Sequence, residues 1–448
     1  MLEVLTRREP GGILLLCSGD VAAAAARVAA STGLKVLPAS RRAPDLLHLT
    51  RPGERCVTLI SMASGDIEGA LARSSFSVLG MAADLADPGA LIDPLGALDD
   101  LERGALVARA PVGDDPERLL LAPRLAGEYG LEPDEDTMAA LRSNAFLAEE
   151  IEPRRAWAGL SRIFDAVGFS GAASFLKETG VLDHLIPCMA DIYEVPQNYY
   201  HHLGVWDHTM ACLDNLEEML RDPRVQFKAY GDRVAAHLTR RVEGGVRRRS
   251  LRALAALVHD AGKAASMSVE PSGRIRFQGH QLEGAKLAAP IAARFGLGSR
   301  ASRDLVAIVR DHMRLGFLLR DGETTAGRLR AATELCSICP EVVLLSLADR
   351  MATRDEASTD EALQRFKRLA ARLLADWFWL RDNPPLLGGE DIIVHGGLEE
   401  GPAVGEALAR VRVAQRESIA SSRAQALEFL APDFKGKMDV RGNEGGAR

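Results

Sequence analysis

Beyond about Leu101 the apolar residues recur every three or four positions, and no convincing strand-like alternation returns before residue 430. That period belongs to amphipathic helices, so most of the chain is constrained to a helical body. Gly244-Gly245, Pro384-Pro385 and Gly388-Gly389 mark loops between helices of ordinary length. The first hundred residues read differently. Residues 13–17 and 56–61 are short buried-strand runs, with weaker ones at 36–37 and 46–50. Residues 21–30 form an Ala-rich helix that Gly33 ends. The expected fold class is α+β, a small mixed α/β head followed by a large all-α region.

A chain of 448 residues has room for two to four domains. Its 26% charged residues exclude wholesale disorder. A net charge of −7 excludes a protein that grips nucleic acid by bulk positive charge, though not a local basic patch. Six irregularly spaced cysteines form no disulfide framework. The opening MLEVLTRREPGG has no apolar targeting run, and no apolar run reaches the roughly 18 residues of a membrane span. A soluble cytoplasmic protein without membrane association is expected.

Ten histidines are ordinary in number, but not in position. His208 falls in the first turn of a helix with Leu213, Leu216 and Leu220 on its stripe. His259-Asp260 ends an amphipathic helix just before Gly262, and His280 follows Gly279 to open another. His312 continues the stripe Leu305, Ile308, Val309, and Asp349 continues Val342, Leu345. A carboxylate on a core-facing stripe is costly unless paired or metal-bound. Arg350 explains one such Asp; several imidazoles and two carboxylates facing inward from separate helices are harder to explain so. Imidazole nitrogen with carboxylate oxygen suits a divalent ion such as Mn, Fe, Co, Ni or Zn.

The order His208, His259-Asp260, Asp349 resembles the H…HD…D signature of the HD phosphohydrolase superfamily. LVHDAGK (257–263), FQGHQLEGAKLA (277–288), VRDHMR (309–314) and LADRMATR (347–354) resemble HD-domain segments. With YYHHLGVWDHTMACL (199–213) they are similar to the HD domain of bacterial tRNA nucleotidyltransferases, the CCA-adding enzymes. The resemblance implies that His208, His259, Asp260 and Asp349 hold one metal ion and that His280 and His312 serve a second, with Asp311 a weaker candidate. It gives Asp260 and Lys263 catalytic roles, Lys263 meeting a substrate phosphate. One or two ions of Mn, Ni, Co, Fe or Mg are implied. Such an ion acidifies bound water and polarises a phosphoryl oxygen.

Outside that domain, residues 90–107, 131–187 and 386–415 resemble the family's head–neck junction, helical neck and C-terminal element. The resemblance implies a head at 1–100, a neck at 101–190, the HD domain at 191–375, a helical element at 376–432 and a flexible tail at 433–448. The head departs from the family pattern. Aligned on Gly19-Asp20, the metal-binding D-x-D falls on Gly12 and Leu14, and the third carboxylate on Thr58. The dozen residues before the first strand leave no room for the family's nucleotide loop. In ARSSFSVLGMA (72–82) only Arg73 and Phe76 of another family motif survive. Asp115 and Arg118 resemble the pair that reads the incoming nucleotide; a helix cap and ion pair is the plainer reading.

The reading drawn from this is a metal-dependent phosphohydrolase acting on phosphomonoesters or on linear or cyclic phosphodiesters. Its partners are a phosphate-ester or nucleotide substrate and tRNA or another RNA. The alternatives are a non-catalytic RNA-binding member of the family and a divergent active nucleotidyltransferase. Arg240, Arg241, Arg247, Arg248, Arg249 and Arg252 form the best local basic patch, read equally as an RNA contact or a solvated face. Cys336-x-x-Cys339 lacks a second pair for zinc. His201 and His202 are read as structural residues first and as pocket-lining ones second; Tyr199 and Tyr200 are core residues or base-stacking ones. His48, His184, His237 and His395 match no metal pattern.

Overall fold

The computed structural model describes residues 12–17, 21–32, 35–40, 43–50, 56–61, 66–83, 90–166, 168–196, 204–353 and 359–442. The chain divides into two units, Met1–Ile186 and Pro187–Arg448.

The first unit opens with β1 (Gly12–Cys17), α1 (Val21–Thr32), β2 (Lys35–Ser40), β3 (Ala43–Thr50) and β4 (Cys56–Ser61). The sheet order is β1-β4-β3-β2. β1 runs parallel to β4, while β2–β3 and β3–β4 are antiparallel. A parallel pair needs a long crossover, and the intervening helix and hairpin provide it. Further on, the Asp93 carboxylate accepts from the backbone N–H groups of Ala97 at 2.7 Å and Leu98 at 2.9 Å, which starts the helix at 97. Three longer helices follow, α2 (Arg118–Tyr129), α3 (Pro153–Ala166) and α4 (Phe169–Glu178). Gly130, at φ +69°, ends α2 in the left-handed region where glycine carries no steric penalty. Phe164 and Phe169 meet edge to face at 5.6 Å in the core of this unit.

The second unit contains α5 (Val205–Arg221), α6 (Gly231–Thr239), α7 (Arg248–Val258), α8 (Lys263–Ser266), a hairpin of β5 (Met267–Val269) and β6 (Ile275–Phe277), α9 (His280–Arg294), α10 (Ser299–Asp311), α11 (Arg314–Arg320), α12 (Thr325–Glu334), α13 (Cys339–Ala352), α14 (Asp360–Asp382), α15 (Gly389–Gly396), α16 (Pro402–Arg416) and α17 (Arg423–Gly442). Every residue of α7 except Arg249 is buried, as is α13 from Cys339 to Ala348. Helices apolar all round are interior helices, and these two carry Asp260 and Asp349 into the middle of the unit. α15–α17 enclose a small core of their own with Leu387, Ile392, Val404, Val411 and Leu430. The buried Asp376 on α14 accepts from Arg328 Nε and Arg416 Nε, each at 2.7 Å, and so joins this element to the body.

The α+β architecture and the head strands match the sequence reading. Three details differ. The helical body includes the β5–β6 hairpin. The boundary at 375/376 falls inside α14, whose stripe of Phe366, Leu369, Leu373 and Trp377 runs unbroken until Asn383-Pro384. The first part of the expected tail, to Gly442, continues α17, and residues 443–448 lie outside the described residues. Among the described residues no single helix is long and apolar enough to cross a membrane.

Candidate metal centre

The six expected metal ligands converge. His208, His259 and Asp349 form one group and Asp260, His280 and His312 another, with the ligand atoms of each group within 4.8 Å of one another. All six belong to the second unit and come from five positions in the fold: the first turn of α5, the C-terminal end of α7, the start of α9, the end of α10 and the last turn of α13.

Local backbone sets the direction of three imidazoles. The Nδ1 atoms of His259, His280 and His312 lie 2.8, 2.8 and 2.6 Å from the carbonyls of Ala256, Phe277 and Val309, each three residues earlier. A carbonyl only accepts, so each Nδ1 carries a proton, and whenever the ring is neutral its Nε2 lone pair is turned inward. The Nε2 atoms of His280 and His312 then face each other at 3.3 Å, an arrangement of two acceptors that calls for a cation between them. His259 Nε2 is buried without a hydrogen-bond partner, as is Asp260 Oδ1, while Asp260 Oδ2 has only the Lys263 ammonium. The donor set therefore fits a divalent ion.

Asp260 stands between the groups. Its Oδ2 is 3.3 Å from His259 Nε2 and 3.6 Å from His208 Nε2, and its Oδ1 is 3.4 Å from His280 Nε2. Asp349 Oδ1 accepts from His208 at 2.9 Å. Lys263 Nζ reaches Asp260 Oδ2 at 2.7 Å. Burial by itself would push Asp260 up, but the charges of His259 and Lys263 hold it well below the carboxylate range. Burial acts the same way on Asp349, and His208, by hydrogen bond and charge, outweighs it. Burial pushes His312 down to about 4, with the neighbouring His259 charge adding to the effect. His280 is likewise lowered, by burial first and, among the charges, by Lys263. His259 is raised, since the Asp260 charge overcomes its burial. The two carboxylates thus attract positive charge to a place with little water.

A backbone contact sets the spacing. A Cβ on Gly262 would lie 2.2 Å from the His280 carbonyl and 2.3 Å from the Gly284 nitrogen. Only a residue without a side chain at 262 lets the end of α7 meet the start of α9 this closely. The centre forms the floor of a cavity of about 480 Å³. Arg350 and Ser346 line it from α13, Met313, Gly316 and Leu319 from α11 and the residue before it, and Ala362 and Phe366 from α14. Ser346 also donates to the His312 carbonyl. Ser346 and this apolar wall were absent from the sequence reading, which took Arg350 only as a partner for a buried Asp, since ordinary helix residues carry no local sign of a cavity.

Other expected residues lie elsewhere. Asp311 pairs with its neighbour Arg310 at 2.6 Å and joins neither group. In the first unit the Asp115 carboxylate accepts from Glu117 N at 3.0 Å, whereas Arg118 donates to Ser75 Oγ at 3.0 Å and to the Pro111 carbonyl. Asp115 thus bonds within the turn before α2, whose first turn has no side-chain cap, and it makes no ion pair with Arg118. Phe76 is core and Arg73 exposed. The arginine patch is divided. Arg240, Arg241, Arg247 and Arg249 are exposed, but Arg248 and Arg252 are buried. Arg248 donates to Glu341 Oε1 at 2.7 Å, and His237 Nε2 lies 3.0 Å from the same oxygen. Cys339 is buried, which pushes its thiol well up, and neither Cys336 nor Cys339 falls in a metal group. His184 meets Glu149 at 2.7 Å and His395 meets Arg423 at 3.2 Å. Tyr199, Tyr200, His201, His202 and Gly19-Asp20 lie outside the described residues.

The HD domain family matches residues 199–354, the stretch holding all six ligands. The chain is 28% identical over 390 residues to the CC-adding tRNA nucleotidyltransferase of Thermus thermophilus, covering 84% of this chain and 80% of that one. This chain carries an HD domain and is homologous to the CCA-adding tRNA nucleotidyltransferases. The A-adding tRNA nucleotidyltransferase of Deinococcus radiodurans is 28% identical over 379 residues, covering 82% and 79%. The fold is shared with the Thermotoga maritima CCA-adding enzyme complexed with tRNA (TM-score 0.59, 16% identity, 96% of this chain and 89% of that one). A CCA-adding enzyme with CTP gives 0.61 at 16% identity, with the same coverage.

In the head, β1 and β4 put Leu14 directly opposite Thr58 and Gly12 opposite Cys56. Gly12, Leu14 and Thr58, the positions that the sequence reading set against the transferase carboxylates, are thus close in the sheet. Among the described strand residues of that sheet, Asp45 on β3 is the one acidic residue. In the HD domain, by contrast, the six expected ligands fall into two close groups.

Proposed function

We propose that the chain works on tRNA or a tRNA-like RNA and that its chemistry is phosphate-ester hydrolysis at the HD-domain centre. The observation that carries this is Asp260, a buried carboxylate whose two oxygens face two separate groups of imidazole ligands. When bound, a divalent ion there acidifies water and polarises the phosphoryl group. His259, His280 and His312 hold their Nε2 atoms inward on backbone anchors. Lys263 and Arg350 set positive charge where a phosphate enters. Phe366, Leu319 and Met313 keep the inner wall apolar. Gly12, Leu14 and Thr58 offer no carboxylate for a two-metal nucleotidyl transfer, which supports reading the head as an RNA-holding remnant.

The test is to strip the protein of metal, reload it with Mn or Ni, and assay a panel of aryl phosphates, nucleoside phosphates and 2′,3′-cyclic nucleotides. Metal-dependent turnover in wild type, lost in His259→Ala, is expected. Wild-type protein that takes up no metal, or His259→Ala with unchanged rates, refutes it.

The homologies speak more directly for a second reading, that of a divergent active tRNA nucleotidyltransferase, because relatives so named align along most of the chain. Incorporation of labelled CTP or ATP into tRNA tests it. In that case Asp115→Ala and Arg118→Ala change which nucleotide is added. Salt-dependent tRNA binding with neither activity points to a purely RNA-binding member.

A further inference from the structure

The β5–β6 hairpin joins two residues of the centre. Lys263 lies on the short helix that leads into β5, and His280 follows β6 by three residues. Phe277 touches both. Its carbonyl anchors His280 Nδ1 at 2.8 Å, and its ring centroid lies 5.5 Å from Lys263 Nζ. The antiparallel register pairs Phe277 with Met267 and Ile275 with Val269. Paired side chains share a face, so all four apolar residues stand on one side. The other side carries Ser268 and Arg276, the latter paired with Glu270. This apolar face is not core, for Met267 is 44% exposed and Val269 62%. Two short strands are marginal on their own, and an apolar face left in water adds to the cost.

We infer that this face is the seat of an unpaired nucleobase, the base of the nucleotide whose phosphate enters the metal centre. The inference rests on the hydrolase reading and narrows its substrate to single-stranded RNA. Two observations favour that occupant. Lys263 lines the cavity and lies against both the Phe277 ring and Asp260, which links the face to the centre. Phe277 offers an aromatic ring, the surface on which bases stack without sequence preference, with aliphatic neighbours beside it.

The test is a titration with an RNA trinucleotide that carries a 3′-phosphate and 2-aminopurine as its last base, followed by fluorescence. Wild type is expected to bind and to quench the probe by stacking. Val269→Ser and Met267→Ser, both at exposed positions, are expected to weaken binding about five- to tenfold and remove most of the quench, with bound metal unchanged. Phe277→Leu, which keeps the backbone anchor of His280, should behave the same way.

Unchanged affinity and quench in all three variants overturn the inference. So does a dimer that Val269→Arg dissolves, because the face would then belong to a second copy. Wild type that hydrolyses glycerol phosphate but does not bind the probe refutes the base seat and leaves the hydrolase reading standing. Face-dependent quenching without turnover of any phosphate ester keeps the seat and removes the hydrolase.

Discussion

Glu341→Gln should unfold the second unit far more readily than the loss of a single charge suggests. Glu341 is 1% exposed. It accepts from Arg248 Nη1 at 2.7 Å and faces His237 Nε2 at 3.0 Å. Arg248 is also buried and otherwise reaches only the Ser337 carbonyl at 3.1 Å and, less closely, Asp304 at 3.6 Å. One turn further along α7, Arg252 is fully buried with no hydrogen bond from any of its three nitrogens. Burial pushes it down to about 9, against the opposing charge of Glu341. Removing one partner of a buried pair costs about 3–5 kcal/mol, and here the carboxylate bonds Arg248 while its charge also offsets part of the burial of Arg252. For a unit of this size that is a fall in Tm of roughly 6–20 °C.

The pH dependence gives a second handle. Burial opposes ionisation of Glu341, but the hydrogen bond and charge of His237, and then Arg248, hold its pKa below the ordinary value. A lowered carboxylate pKa stabilises above the unfolded value, about 4.3, and the contribution disappears as pH falls through the folded value. The gap between wild type and Glu341→Gln should therefore be full at pH 7 and close below about pH 4. Arg252→Met should be neutral or stabilising at neutral pH, since it removes an unpartnered buried charge. Urea unfolding across pH reads all of this. A loss under about 1 kcal/mol for Glu341→Gln, or a pH-independent gap, would show that the cluster is not the ion network drawn here.

Metal analysis should separate the two ligand groups: His312→Ala is expected to lose part of the bound metal and Asp260→Asn nearly all of it, and equal losses would argue against a shared carboxylate. Excess chelator should lower Tm, because at free ion a hundredfold above Kd binding contributes about 2.7 kcal/mol to stability; an unchanged melting curve contradicts a resident ion. Asp376→Asn should loosen α15–α17 by leaving Arg328 and Arg416 without their shared acceptor, seen as faster proteolytic cleavage in the 383–388 linker, with metal content unchanged.

The metal ligands were legible because each sits at a helix end or on an apolar stripe, where sequence spacing alone gives direction. His259 and His312 cap α7 and α10, and His280 opens α9. The head strands were legible as apolar runs between glycines and charges. The Glu341–Arg248–His237 network was not, since its members are separated by 93 and 104 residues and only packing pairs them. The arginine run misled for a related reason. A charged residue ordinarily marks a wet face, yet the unbroken apolar stretch from Ala253 to Val258 already signals an interior helix, whose first turns bury Arg248 and Arg252 as well. The hairpin escaped notice because three-residue strands are too short to show alternation, although Pro271-Ser272-Gly273 is a readable turn.

The Gly262–Gly284 contact has a consequence for change over time. It sets the separation between two ligand-bearing helices by main chain against main chain, so that separation does not depend on how neighbouring side chains fill the core. Aliphatic residues on α7 and α9 can be exchanged and repacked while the distance from Asp260 to His280 stays put. The centre has, in effect, a fixed gauge inside a tolerant interior, and a single methyl group added at Gly262 is the small alteration most able to spread the ligands apart.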